Sequence, residues 1–160
     1  MAPHTSSKDV FVSLAFRKVL GLERFKFIGK QELFKPPFGF IFRKLGGIPV
    51  DRFHQHGFVQ QVADMFNNKE EFIIGLSPEG TRKKVDRLRT GFYYIAKKAG
   101  VPIVMIGLDF ANRQMIFAEP FFTTGDEQAD FDRILQFFGP IKGKHPELGV
   151  GHLLTPSIAE

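Results

Sequence analysis

Two apolar runs of strand length, residues 71–77 (EFIIGLS) and 101–109 (VPIVMIGLD), constrain this chain more than any other feature. Neither alternates with polar residues. That is the pattern of strands covered on both faces, which belong to sheets flanked by helices. Between them, residues 88–98 read as a helix followed by Gly100 in the position of a C-cap. Shorter strand candidates at 25–28, 48–50 and 113–118 alternate with helical patterns at 9–20, 31–45, 58–67 and 127–138. In the helix at 31–45, Pro36 and Pro37 are placed in the first turn, where a missing N–H costs little. The alternation predicts an α/β fold: one domain over residues 1–140, with a mixed, partly parallel sheet flanked by helices. From Gly139 onward glycine, proline and polar residues dominate, so residues 141–160 are expected to form a loosely attached tail.

Composition removes several classes of function. The 160 residues include no cysteine, which excludes a disulfide scaffold, a thiolate zinc site and a cysteine nucleophile. A domain of this length buries roughly two-thirds of its unfolded surface and needs no such staple. The longest apolar stretch, around residues 101–108, is far short of the roughly 18 residues that span a bilayer, and the N-terminus has no signal-peptide core. The net charge of +5 is uneven: residues 1–52 carry 10 basic and 4 acidic side chains, residues 109–160 carry 4 and 8. The electropositive N-terminal part suits a partner bearing phosphate: nucleic acid, an anionic membrane surface or a phosphorylated small molecule.

Three short motifs carry groups capable of chemistry. The first is His4-Thr-Ser-Ser-Lys-Asp9. On a continuous helix these two side chains stand about 140° apart. They meet only if His4 lies just outside the helix and Asp9 in its first turns, with Ser6 or Ser7 as N-cap. Asp9 would then hold one imidazole nitrogen and leave the other as a general base. On these residues alone a solvated His4 and a merely capping Asp9 is the plainer reading. The second motif, Ser77-Pro78-Glu79-Gly80-Thr81-Arg82, follows an apolar strand, where open α/β sheets bind ligands. Gly80 lets a ligand approach the backbone, and Arg82 is able to grip phosphate through paired donors. Glu79 is a candidate to orient that guanidinium or to accept from a substrate hydroxyl. The alternative is a polar loop whose Glu79 and Arg82 pair at the surface. The third motif, Gly47-Ile-Pro-Val-Asp51-Arg52, is a short strand ending in an acidic–basic pair, and Arg52 alone is equally a solvated ion-pair partner.

In this order and spacing the motifs resemble those of the glycerolipid acyltransferases, of which lysophosphatidate (1-acylglycerol-3-phosphate) acyltransferase is the familiar member. The family's His-X4-Asp block is matched by His4 and Asp9, its Gly strand ending in Asp-Arg by Gly47 to Arg52, and its Pro-Glu-Gly-Thr-Arg block by Pro78 to Arg82. Its basic-x-Gly lead into a helix is echoed by Arg89-Thr90-Gly91, and its Val-Pro-Ile-Val block by Val101 to Val104, with Pro102. The resemblance covers about residues 3–110. It implies a glycerolipid-acyltransferase-like domain that moves a fatty acyl group from acyl-CoA or acyl-carrier protein to a lysophospholipid hydroxyl, most simply giving phosphatidate. His4 and Asp9 would be catalytic, Arg52, Glu79, Gly80, Thr81 and Arg82 would hold the acceptor's phosphate and glycerol, and Gly47, Pro78, Gly91 and Pro102 would support them. The acyl thioester is a co-substrate; no bound cofactor and no metal are implied. The implied setting is cytoplasmic, peripheral at the inner face of an anionic membrane. The alternatives are transfer to another lysophospholipid or an amine-bearing lipid, and a catalytically idle phospholipid-binding domain.

The chain departs from the family at three places. Pro3 stands where Asn usually precedes the histidine, and Met105 where a second proline often follows. Relatives normally place at least one strand upstream of the His block, whereas here three residues precede His4. Either a natural start further upstream or a weakly active chain is expected from that.

Weaker signals remain. Phe34, Phe38 and Phe42 recur at spacing four, with Ile41 and Leu45 in the same stripe and Lys35, Arg43 and Lys44 beside it. This is either a core-facing helix or a basic amphipathic surface for anionic lipid or an acyl chain, and Phe40, outside the stripe, favours lipid. His54 and His56 lack a third ligand at informative spacing, so no metal is expected. Arg82, Lys83, Lys84, Arg87 and Arg89 accompany no nucleic-acid-binding motif, so no nucleic-acid partner is expected.

Overall fold

The computed structural model describes residues 1–22, 24–50, 55–68 and 71–154. The fold is mixed α/β, as the alternation predicts. Helix α1 (Lys8–Val19) leads into strand β1 (Phe25–Lys30), a 3-10 turn at Gln31–Phe34, helix α2 (Gly39–Lys44) and strand β2 (Gly47–Val50). Helix α3 (Gln55–Asn67), strand β3 (Ile73–Gly75) and helix α4 (Gly91–Ala99) follow, then the hairpin β4 (Ile106–Asp109) and β5 (Gln114–Phe117) and helix α5 (Glu127–Phe138). Strands β2, β1 and β3 form a parallel sheet in that order, with Phe27 opposite both Gly47 and Gly75. Strands β4 and β5 pair antiparallel in a separate sheet.

Three expectations are corrected. The single helix over 31–45 is a 3-10 turn and a six-residue helix separated by Pro36 and Pro37. Two consecutive prolines supply no N–H, and each disfavours helical torsions in the residue before it, so the first turn cannot run on. The run 101–109 enters the ladder only from Ile106; before that, Val101 still donates to Ala96 at the end of α4 and Ile103 pairs singly with Phe121. It is not a fourth strand of the parallel sheet. The segment after Gly139 is no loose tail through residue 154: Ile141 and Val150 are buried, and Phe110 donates to the Lys142 carbonyl at 2.8 Å.

The core has two parts. Ile28, Val50, Val62 and Ile95 fill the space between the parallel sheet and α3 and α4. Leu88, Met105, Phe121, Ile134, Phe138, Ile141 and Val150 close the second around α5. An apolar cavity of about 370 Å³ separates β3 from residues 101–106. Met1 and Ala2 bridge its end: the Met1 nitrogen donates to the Leu76 carbonyl at 2.8 Å, while Ala2 bonds to Ile106 and Leu108 on the other side. His4 therefore enters the fold from between the two sheets, at the C-terminal end of β3.

Candidate active site

The turn that begins α1 is built by Asp9. Ser7 occupies the N-cap position without a side-chain cap. Asp9 instead reaches back from the first turn, and its Oδ2 accepts from the N–H groups of Thr5 and Ser6, both at 2.8 Å. The carboxylate is fully buried, and its Oδ1 has no hydrogen-bond partner among the described residues. This turn sets His4 just outside the helix with Nδ1 3.3 Å from Asp9 Oδ2. Nε2 is the nitrogen left for a substrate proton.

The loop after β3 meets His4 from the other side. Glu79 is 2% exposed; its Oε1 accepts from the His4 backbone N–H at 2.8 Å, and its Oε2 accepts from the Ser77 hydroxyl at 2.7 Å. Two motifs separated by 75 residues are thus one constellation, with His4 held through its ring by Asp9 and through its main chain by Glu79. The surface Glu79–Arg82 pair is not what the loop does: Glu79 is buried and spent on His4 and Ser77. Gly80 adopts φ +67°, a left-handed torsion that glycine accepts without strain, and a Cβ there would sit 3.2 Å from Arg89 Cγ. Arg89 is fixed beside it by its N–H, which donates to the Pro78 carbonyl at 2.7 Å. Thr81 accepts from the Lys83 N–H through its hydroxyl, and Arg82 is exposed.

Burial favours a neutral imidazole. Burial is the largest influence on His4 and lowers its pKa below the ordinary 6.5; Arg82 and the Met1 ammonium lower it further, against opposing pulls from Asp9 and Glu79. At pH 7 the ring is therefore unprotonated and able to accept a proton.

The other predicted residues fall into place unevenly. Pro78 is buried in the loop and, like Pro102, lines the apolar cavity. Gly91 opens α4 against Phe58. Gly47 lies in β2, where a Cβ would come within 2.8 Å of the Phe34 ring, so it serves packing there. Arg52 and Asp51 lie outside the described residues. Sequence reasoning missed the segment 143–145. The His145 N–H donates to the Thr5 hydroxyl at 3.2 Å, Gly143 abuts Pro3 and Thr5, and Lys144 comes close enough to Lys8 for its pKa to be lowered. Nothing in spacing joins residues so far apart.

A model of the Acyltransferase family matches residues 1–109, which include His4, Asp9, Glu79 and the loop around them. The chain belongs to the Acyltransferase family. No curated protein and no solved structure matches it. In this acyltransferase the matched region ends with β4, so β5, α5 and the segment carrying Lys144 lie beyond it.

Proposed function

We propose that this acyltransferase moves a fatty acyl group from a coenzyme A or acyl-carrier-protein thioester to the free hydroxyl of a lysophospholipid, with 1-acylglycerol-3-phosphate as acceptor and phosphatidate as product. The observation that carries the reading is the Asp9–His4–Glu79 arrangement, in which two buried carboxylates hold a half-buried histidine whose burial favours the neutral ring, beside an arginine-bearing loop. His4 Nε2 takes the acceptor's hydroxyl proton as its oxygen attacks the thioester carbonyl. The C–O bond forms, the C–S bond breaks, and the proton passes from His4 to the departing thiolate. Asp9 fixes the Nδ1–H tautomer and stabilises the imidazolium while it lasts. No side-chain nucleophile is needed, in keeping with a chain that has no cysteine.

Arg82 binds the acceptor phosphate, Gly80 and Thr81 shape the glycerol end, and Arg52 is the second phosphate ligand of the proposal. The apolar cavity, to which Pro78 of the same loop contributes, has the chemistry an alkyl chain requires. The setting we propose is peripheral, at the cytoplasmic face of an anionic membrane; among the described residues no helix is long and apolar enough to cross one. No nucleic acid, metal or bound cofactor takes part in this reading.

A thioester-release assay across a panel of lysophospholipids and amine-bearing lipids tests it. Release that depends on lysophosphatidate and disappears in His4→Gln is the expected result. Release with a different acceptor alone replaces the substrate assignment, and binding of anionic lipid without release for any acceptor makes the domain a binding module.

A further inference from the structure

The surface around α2 is built differently from a solvated helix. Phe34 and Phe42 turn inward and meet edge to face at 6.1 Å, with Phe34 packed against Gly29 and Gly47. Phe38 and Phe40 turn outward and are 65% and 67% exposed, with Leu33, Ile41 and Leu45 exposed beside them. The end of α1 adjoins this face. Arg17 ties the two together by donating to the Leu45 carbonyl through Nη1 and to the Leu22 carbonyl through Nε. Val19, 79% exposed, and Leu20 are further exposed apolar side chains at the same end of α1 as Arg17.

Cations surround it. Residues 31–45 carry Lys35, Arg43 and Lys44 against a single carboxylate, exposed Glu32; α1 adds exposed Lys18, and the Arg43 guanidinium is held 5.4 Å over the Phe34 ring. Water would leave the apolar side chains uncovered, and an ordinary protein partner would leave the cations without counter-charge. A bilayer bearing anionic headgroups satisfies both, with aromatic side chains at the acyl boundary and ammonium and guanidinium groups among the phosphates.

We propose that α2 and the last turn of α1 form a docking surface for an anionic lipid bilayer, with Phe38 and Phe40 as the inserting side chains. The inference deepens the lipid-acceptor reading: α1 runs from this surface to Asp9, so docking brings the site to the membrane that carries its acceptor. The two claims fail separately. Vesicle flotation requires no turnover, and turnover of a dispersed short-chain lysophosphatidate requires no bilayer.

The experiment is flotation of the full chain with phosphatidylcholine vesicles made with and without phosphatidylglycerol, at low and high salt. The wild-type chain is expected to float with the anionic vesicles at low salt and to be released as salt rises. The double variant Phe38→Ser/Phe40→Ser should lose at least about tenfold in affinity. Lys18→Gln/Lys35→Gln/Lys44→Gln should lose about fivefold per charge, with a flatter salt dependence. Both variants should keep the wild-type circular dichroism and melting temperature, since these side chains are exposed. Equal binding to both vesicle types, no binding to either, or an unchanged double variant would overturn the proposal. A lipid-free dimer that Phe38→Ser/Phe40→Ser converts to monomer would also overturn it and make the face a self-association surface.

Discussion

The base role proposed for His4 requires a neutral ring, and burial favours that state. The acid limb of kcat/KM should therefore fall off below pH 6.5, with activity already on its plateau near neutrality. His4→Gln is expected to lower kcat by about 10²- to 10⁴-fold with little change in fold. The same depressed pKa has a stability consequence. Between its folded value and 6.5, His4 binds fewer protons folded than unfolded, so stability rises with pH across that window and is lost as pH falls through it. Urea midpoints measured across this range should show a slope that His4→Gln flattens. A slope of opposite sign would mean that the folded state favours the imidazolium. The spacing of His4 and Asp9 showed how the two could meet, a histidine outside the helix and an aspartate within it, but left a solvated His4 the plainer reading. It was the resemblance carried by the other motifs that favoured the pair, which the structure forms at 3.3 Å. Glu79 was readable as a motif residue but not as the acceptor for the His4 N–H, because a hydrogen bond across 75 residues leaves no trace in local spacing. Its burial is what gives it away.

Elements followed their local chemistry where one signal dominated. Gly100 ends α4 with φ +64°, as a left-handed C-cap should, and Asp126 caps α5 by accepting from the Ala129 N–H at 3.1 Å. Prediction failed where two signals competed. The phenylalanine spacing over 31–45 suggests one helix, but the consecutive prolines break it, leaving Phe34 inward and Phe38 outward. Hydrophobicity of residues 101–109 suggested a central strand, yet Pro102 and the bond from Val101 back to α4 delay the ladder to Ile106. Helices α4 and α5 are joined by a buried polar network that apolar periodicity could not reveal. The Tyr93 hydroxyl, its pKa pushed up to about 12 by burial and by Asp130, donates to Asp130 at 3.0 Å, and Thr124 donates to the same carboxylate through both its N–H and its hydroxyl. Tyr93→Phe removes one of three donors and should cost about 1 kcal/mol. Asp130→Ala strands the buried Tyr93 hydroxyl and releases both Thr124 donors to water, and should cost about 2–3 kcal/mol. Denaturant unfolding of the two variants checks the order.

The molecule as a whole uses its C-terminal third to close the site that its N-terminal two-thirds builds. Composition after Gly139 suggested a loosely attached tail, but Ile141 fills the core beside Gly107, and His145 bonds to Thr5 in the turn that carries His4. Ile141→Ala should therefore destabilise the fold by about 2–4 kcal/mol, measurable by denaturant unfolding; a change near zero would restore the loose-tail reading. The charge asymmetry was informative at this level too: the basic excess lies N-terminal to residue 109, in the part of the chain that holds both the arginine-bearing loop and the cations around α2. Whether fold, neutral histidine and basic surroundings add up to acyl transfer onto a phosphorylated lipid is decided by one assay. With the full chain, an acyl-CoA and lysophosphatidate, free thiol should appear in step with phosphatidate, and His4→Gln should abolish both while keeping the fold. Equal thiol release by the variant, or release indifferent to lysophosphatidate, would contradict the assignment of His4 as the base for that acceptor.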